Sequence, residues 1–185
     1  MTKLEALELV RQHVKNKNLV SHMICAGAVM RALAEKFEPK AIDSWELTGL
    51  LHDIDWEETA DTPEQHSIVC QEYLKLAGVE ENVCKAIHVH NHMHDIEPET
   101  MMEKALYSAE ELTGLIVACA LVIPSKKLAD VKVGSILKKF KQPSFAAGVN
   151  REIVMKSEKM LGMSLEELAV LELEAMQGIA NELGL

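Results

Sequence analysis

A chain of 185 residues has the length of one domain and can bury a real core, and with 48% apolar residues it is not a disordered segment. Aromatic residues make up only 4% while methionine reaches 10 residues, so the core is aliphatic and thioether-rich. A formal net charge of −10 argues against a general binder of long nucleic acid, which needs a basic face toward phosphate.

Helix signals recur along the chain and strand alternation is almost absent. Thr2 and Glu5 form a capping box ahead of the stripe Leu4, Leu7, Val10 and Val14. A second helix is predicted from about Leu19 to Phe37, stopping before Pro39. Asp43 with Glu46 opens a third, with Leu47, Leu50, Leu51 and Ile54 buried. Thr62, Pro63 and Gln65 open a fourth that Gly78 ends. A fifth starts near Glu80 and runs through Val83 and Ile87 into a histidine cluster. Thr100 with Glu103 opens a long sixth that ends at Pro124. Residues 126–141 are Lys-rich, with Val133, Ile136, Leu137 and Phe140 at helical spacing; residues 144–150 are loop-like. Ser164 with Glu167 caps a final helix to about Leu183. No internal repeat or long linker interrupts the pattern, so the expected fold is a single all-α domain.

The charge is unevenly spread. Residues 1–124 hold 10 Lys and Arg against 21 Asp and Glu, whereas residues 125–159 hold 9 against 3. Such a basic island suits local anion binding, although solvated lysines are its commoner origin. Lys126, Lys127 and Arg151 are its substrate-binding candidates, Arg151 because a guanidinium clasps phosphate bidentately. Cys25, Cys70, Cys84 and Cys119 form no CxxC and lie in apolar helical patterns, which predicts buried free thiols in a reducing cytosol. Thr2 opens an amphipathic helix rather than a signal sequence. The longest apolar run, Leu112–Ile123, falls short of the ~18 residues of a membrane span. The expectation is a cytoplasmic protein with no membrane partner.

Chemistry concentrates in one region: seven of the eight histidines lie between His22 and His94. Imidazole and carboxylate together suit Zn, Fe, Mn, Ni or Co. The adjacent pair His52–Asp53 ends an apolar helix, where an unpaired charge is costly to bury. Neighbouring helical residues project ~100° apart, so the pair converges on one ion only if other helices bring further ligands, and His22 on the second helix can bring one. Of the cluster His88, His90, His92 and His94, only His90 keeps the helical period with Val83 and Ile87 and is expected to point inward. His13, among Lys and Gln, is expected at the surface.

His22 followed thirty residues later by Leu50-Leu51-His52-Asp53-Ile54 resembles the HD superfamily of metal-dependent phosphohydrolases. The doublet is close to its His-Asp-Ile-Gly variant, with Asp55 in place of the glycine. The resemblance covers about residues 20–112 and implies a helical bundle with a divalent transition metal held between helices by His22, His52, Asp53 and a distant acid. That acid is usually Asp within Ala-Asp-x-Leu; here Ala109-Glu110-Glu111-Leu112 puts Glu110 in the role. Members with a second metal use further histidines, matched by His66 and His90, while the partner expected beside His90 is Asn91. The implied reaction is hydrolysis of a phosphate ester in a nucleotide or another small phosphorylated metabolite, with Asp53 both ligand and hydrogen-bond acceptor for the attacking water. Asp55 and Glu57 are further proton-acceptor candidates. Two alternatives stay open: a ligand-binding or regulatory module with an impaired site, suggested by Glu110 and Asn91, and a di-iron oxygenase, which needs both metals.

Overall fold

A computed structural model describes residues 1–185 and contains no strand. Its helices are α1 (Lys3–His13), α2 (Lys17–Phe37), α3 (Ile42–Leu51), α4 (Trp56–Thr59), α5 (Cys70–Leu76), α6 (Glu81–His90), α7 (Met101–Val122), α8 (Val133–Phe140), α9 (Arg151–Met155), α10 (Ser157–Leu161), α11 (Leu165–Gly178) and α12 (Ala180–Leu183). Short 3-10 turns cover His92–His94 and Leu128–Asp130. The capping boxes at Thr2, Thr100 and Ser164 form as the sequence predicts.

α2, α3 and α7 make the centre, with α6, α9, α10 and α11 packed around α7 and α2. Met23, Met30, Leu33, Leu50, Leu106, Leu112 and Leu115 are fully buried there. Each such side chain contributes roughly 1.5–3 kcal/mol by leaving water, so packing rather than propensity holds the short helices. α2 and α3 approach unusually closely because two glycines face the contact. A Cβ on Gly27 would lie 2.8 Å from Leu50 Cγ, and one on Gly49 would overlap the Ala26 carbonyl.

α7 is apolar on most sides. Over 18 residues its mean hydropathy is 1.5, so by length and composition it is long enough to cross a membrane, beyond what the run Leu112–Ile123 suggests. Most of it is buried among other helices, as a core helix is.

Several predicted elements differ. The fourth helix does not begin at Thr62: residues 61–69 form successive turns and α5 starts at Cys70. Tertiary contacts override the local cap signal, because the buried Asp55 carboxylate accepts from Ser67 N (3.3 Å) and Cys70 N (2.8 Å). Ser67 takes a positive φ of 64° to present its N–H. Asp43 and Glu46 do not cap α3; Ala41 is its N-cap, and Glu46 instead pairs with Arg31 (2.9 Å) and Lys3 (3.0 Å). Within 126–141 only Val133–Phe140 is α-helical, after the 3-10 turn at Leu128–Asp130, and the last helix is interrupted at Ile179. Arg151 opens α9, and its guanidinium donates to the carbonyls of Phe140, Gln142, Phe145, Ala146 and Val149. It organises the loop that precedes it.

Candidate metal centre

Five segments converge on one point. His22 comes from the second turn of α2, and His52 and Asp53 from the tight turn that continues α3. His66 comes from the turns before α5, His90 from the end of α6, and Glu110 from the middle of α7. The Gly27–Gly49 contact brings the α2 and α3 ligands together: His22 Nε2 and His52 Nε2 are 3.2 Å apart. On the other side His66 Nε2 and His90 Nε2 are 3.1 Å apart.

Asp53 joins the two pairs. Its Oδ1 lies 3.4 Å from His52 Nε2, 3.2 Å from His66 Nε2 and 3.7 Å from His90 Nε2, while Oδ2 lies 3.5 Å from His22 Nε2. Glu110 Oε2 is 3.3 Å from His22 Nε2 and 3.8 Å from His52 Nε2. Two groups with metal-ligand geometry result, His22–His52–Asp53 and Asp53–His66–His90, sharing Asp53. Ligands ~2.1 Å from one ion are ~3.0 Å apart at right angles and ~3.4 Å apart at the tetrahedral angle. The observed separations start at 3.1 Å, between those values, and reach 3.8 Å, slightly above them.

The outer nitrogens fix the tautomers. His52 Nδ1 donates to Gly49 O (2.8 Å), His90 Nδ1 to Ile87 O and His66 Nδ1 to Asp55 Oδ1 (2.7 Å). His22 Nδ1 donates to Thr113 Oγ1 (3.2 Å), whose own proton goes to the Glu110 carbonyl (2.6 Å). None of these acceptors has a proton to give, so all four Nε2 lone pairs face inward, as ligating histidines require. Four lone pairs and two carboxylates in one place could hold a cation.

Protons compete for the same positions. Burial opposes charging His22, but the Glu110 and Asp53 carboxylates outweigh it and raise the ring to about 9. His66 is raised to about 9 against its burial by Asp53 and Asp55. His52 is lowered to about 4 by burial, although Asp53 opposes the shift. Asp53 is held well below the usual carboxylate range despite burial, because the surrounding imidazoles favour its charge.

A family model for the HD domain matches residues 19–122, which include every residue of this cluster. The chain belongs to the HD domain family. HD domains are generally metal-dependent hydrolases that bind divalent metals, and the donor set here suits such an ion. No curated protein and no solved structure matches the chain.

Above the candidate ligands lies a cavity of about 270 Å³, walled by Glu111 and rimmed by Trp56, Pro63, Asn91, His92, Met93 and Gly148. Lys126, Lys127 and Arg151 do not line it. Glu110 to Val122 alone spans ~18 Å of helix, and both lysines follow that helix's end. Arg151 is occupied by its five carbonyls. Asp55 and Glu57 are likewise not free to accept a substrate proton. Asp55 holds His66 and the start of α5, and Glu57 accepts from Lys15 N (3.0 Å) and Asn16 N at the start of α2.

Asn91 does not replace its expected histidine as a donor to an ion. Its Nδ2 donates to Pro63 O (2.9 Å) and His66 O (3.1 Å), which anchors the turn carrying His66. His88 and His94 stack on each other 4.8 Å apart, outside the cluster. Glu111 accepts from Asn150 N (3.1 Å), and burial and the neighbouring Glu110 raise its carboxyl to about 7. Thr113, one turn beyond Glu110, carries no sequence signal of its role; Asp55 carries one, as the acid standing in place of the glycine.

Asp55 gives a direct prediction. Asp55→Asn should weaken the ion held by His66 and His90 by about 10–100-fold, the usual effect of losing an orienting carboxylate. Affinity at His22 and His52 should change little. Calorimetric titration with Mn²⁺ resolves the two, and equal weakening of both would contradict this role.

Proposed function

We propose that this HD protein is a metal-dependent phosphohydrolase acting on a phosphate ester of a nucleotide or another small phosphorylated metabolite. The observation that carries the reading is the convergence of four imidazole lone pairs with Asp53 and Glu110 at ligand spacing beneath an open cavity. A divalent ion at such a site lowers the pKa of water toward neutrality and polarises a phosphoryl oxygen. Asp53 orients the attacking water by accepting its hydrogen bond. Glu111 faces the same cavity with one oxygen tethered by Asn150, and in this reading its carboxyl would carry the proton to the leaving group. Four buried, unpaired cysteines fit a reducing compartment such as the cytoplasm.

Two neighbouring glutamates separate ligand from proton carrier. Glu110→Gln should lose metal at His22 and His52, whereas Glu110→Asp should retain it. Glu111→Gln should keep its metal and lower kcat about 100-fold or more, the usual range for a general acid or base. The test is elemental analysis with a screen of phosphorylated metabolites. Metal-loaded protein that hydrolyses none of them would sink the reading in favour of the regulatory module. The second triad also fits a di-iron oxygenase, which an oxygen-dependent visible spectrum of the iron-loaded protein would reveal.

A further inference from the structure

The walls of the cavity restrict what a phosphate ester bound there can carry. None of its lining residues is Lys or Arg, and Asp53, Glu110 and Glu111 all face it. A phosphoryl group at the two triads would be met by the ion. A second or third phosphate reaching outward would find no Lys or Arg to offset its charge and would approach the Glu111 carboxylate.

The rim has the opposite character. Trp56 is 39% exposed and Met93 51% exposed, and both present apolar surface at the mouth of a cavity whose other walls are mostly polar. Both border the cavity beside the acidic floor. The indole makes a T-shaped contact with His66, with centroids 4.9 Å apart and planes at 82°. That contact fixes the ring beforehand and leaves part of its surface open, so little side-chain entropy remains to be lost on binding. The volume, about 270 Å³, lies just below the usual range for drug-sized ligands and leaves room for a phosphate and one compact group.

We propose, resting on the phosphohydrolase reading, that the site takes a phosphate monoester with one phosphoryl group and a compact, uncharged aromatic body seated on Trp56 and Met93, and rejects di- and triphosphates. Trp56 and Met93 are then specificity determinants.

Non-hydrolysable phosphonates test this on the Co²⁺-reconstituted protein, with binding read from the visible spectrum of the bound cobalt. Phenylphosphonate should bind about tenfold tighter than methylphosphonate, the gain expected from one aromatic contact. A second anionic group, in 4-carboxyphenylphosphonate, should remove that gain. Trp56→Ala should bring the phenyl-to-methyl ratio close to one and Trp56→Phe should keep most of it. Met93→Ser should lower it independently of any effect of Trp56 on folding. Equal affinity for the two phosphonates, or tighter binding of the carboxylated one, would overturn the specificity and leave the phosphohydrolase reading intact. Failure of cobalt-loaded protein to bind either phosphonate would overturn both.

Discussion

Asp53→Ala should strip the protein of both ions, a larger effect than any other single ligand change. Asp53 belongs to both triads, with Oδ1 within 3.7 Å of three imidazoles and Oδ2 3.5 Å from the fourth. Without it each group keeps two histidines, and only the first keeps a carboxylate. His52→Ala should instead spare the Asp53–His66–His90 group. Losing an orienting partner costs about 10–100-fold in metal affinity, and losing the shared ligand should cost more. The sign of the pH dependence follows from the histidines. His22 and His66 hold protons up to about 9, so an ion must displace them and its affinity rises with pH until that value. Each displaced proton should contribute about tenfold per pH unit. Metal content after dialysis, with Mn²⁺ titrations at several pH values, measures both effects. Normal metal content in Asp53→Ala would refute the site.

The sequence shows the candidate ligands more clearly than the chain path that aims them. His22, the His52–Asp53 doublet and His90 sit on periodic helices, so pattern alone places them on inward faces. Glu110 is separable from Glu111 only through the Ala-x-x-Leu frame, and the structure turns Glu110 to His22 while Glu111 reaches Asn150. The path around His66 is illegible locally. The signals at Thr62, Pro63 and Gln65 are genuine helix-start chemistry, but Asp55, seven or more residues away, claims the backbone N–H groups of Ser67 and Cys70. A helix through this stretch could not also give His66 its Asp55 partner, and that competition decides the fold there.

The basic island shows the other limit, since charge counts carry no direction. Arg151 reads as an anion clasp from composition, yet its donors match backbone carbonyls of the adjacent loop as well as they match phosphate. The lysines lie past the end of α7, on the far side of some three helical turns from Glu110. The result is a cavity with no Lys or Arg in its lining. Under the phosphohydrolase proposal, a bound cation rather than a lysine or arginine would meet the substrate's charge.

Glu172→Met should stabilise the protein at neutral pH by about 2 kcal/mol, the scale of one buried unsatisfied polar group. Glu172 lies in the buried stripe of α11 between Leu168 and Met176, fully excluded from water, with neither carboxylate oxygen hydrogen-bonded. Burial pushes its carboxyl well above the usual range, and the Glu110 charge pushes it further. The folded protein therefore keeps a proton that the unfolded chain releases above about 4.5. Since the folded state binds more protons, stability falls as pH rises from there, by at most ~1.4 kcal/mol per unit, until the folded carboxyl itself ionises. Methionine matches the volume and suits a core that already holds Met23, Met30 and Met176. A gain of that size corresponds to about 4–8 °C in Tm for a chain of this length. Glu172→Gln separates the two contributions, because it removes the titration but leaves an unpaired polar group, so it should flatten the pH dependence with a smaller gain. Thermal melts across the acid-to-neutral range measure all three proteins. If Glu172→Met melts lower at neutral pH, the carboxyl has a hydrogen-bonding partner in solution, and the stripe tolerates it for that contact.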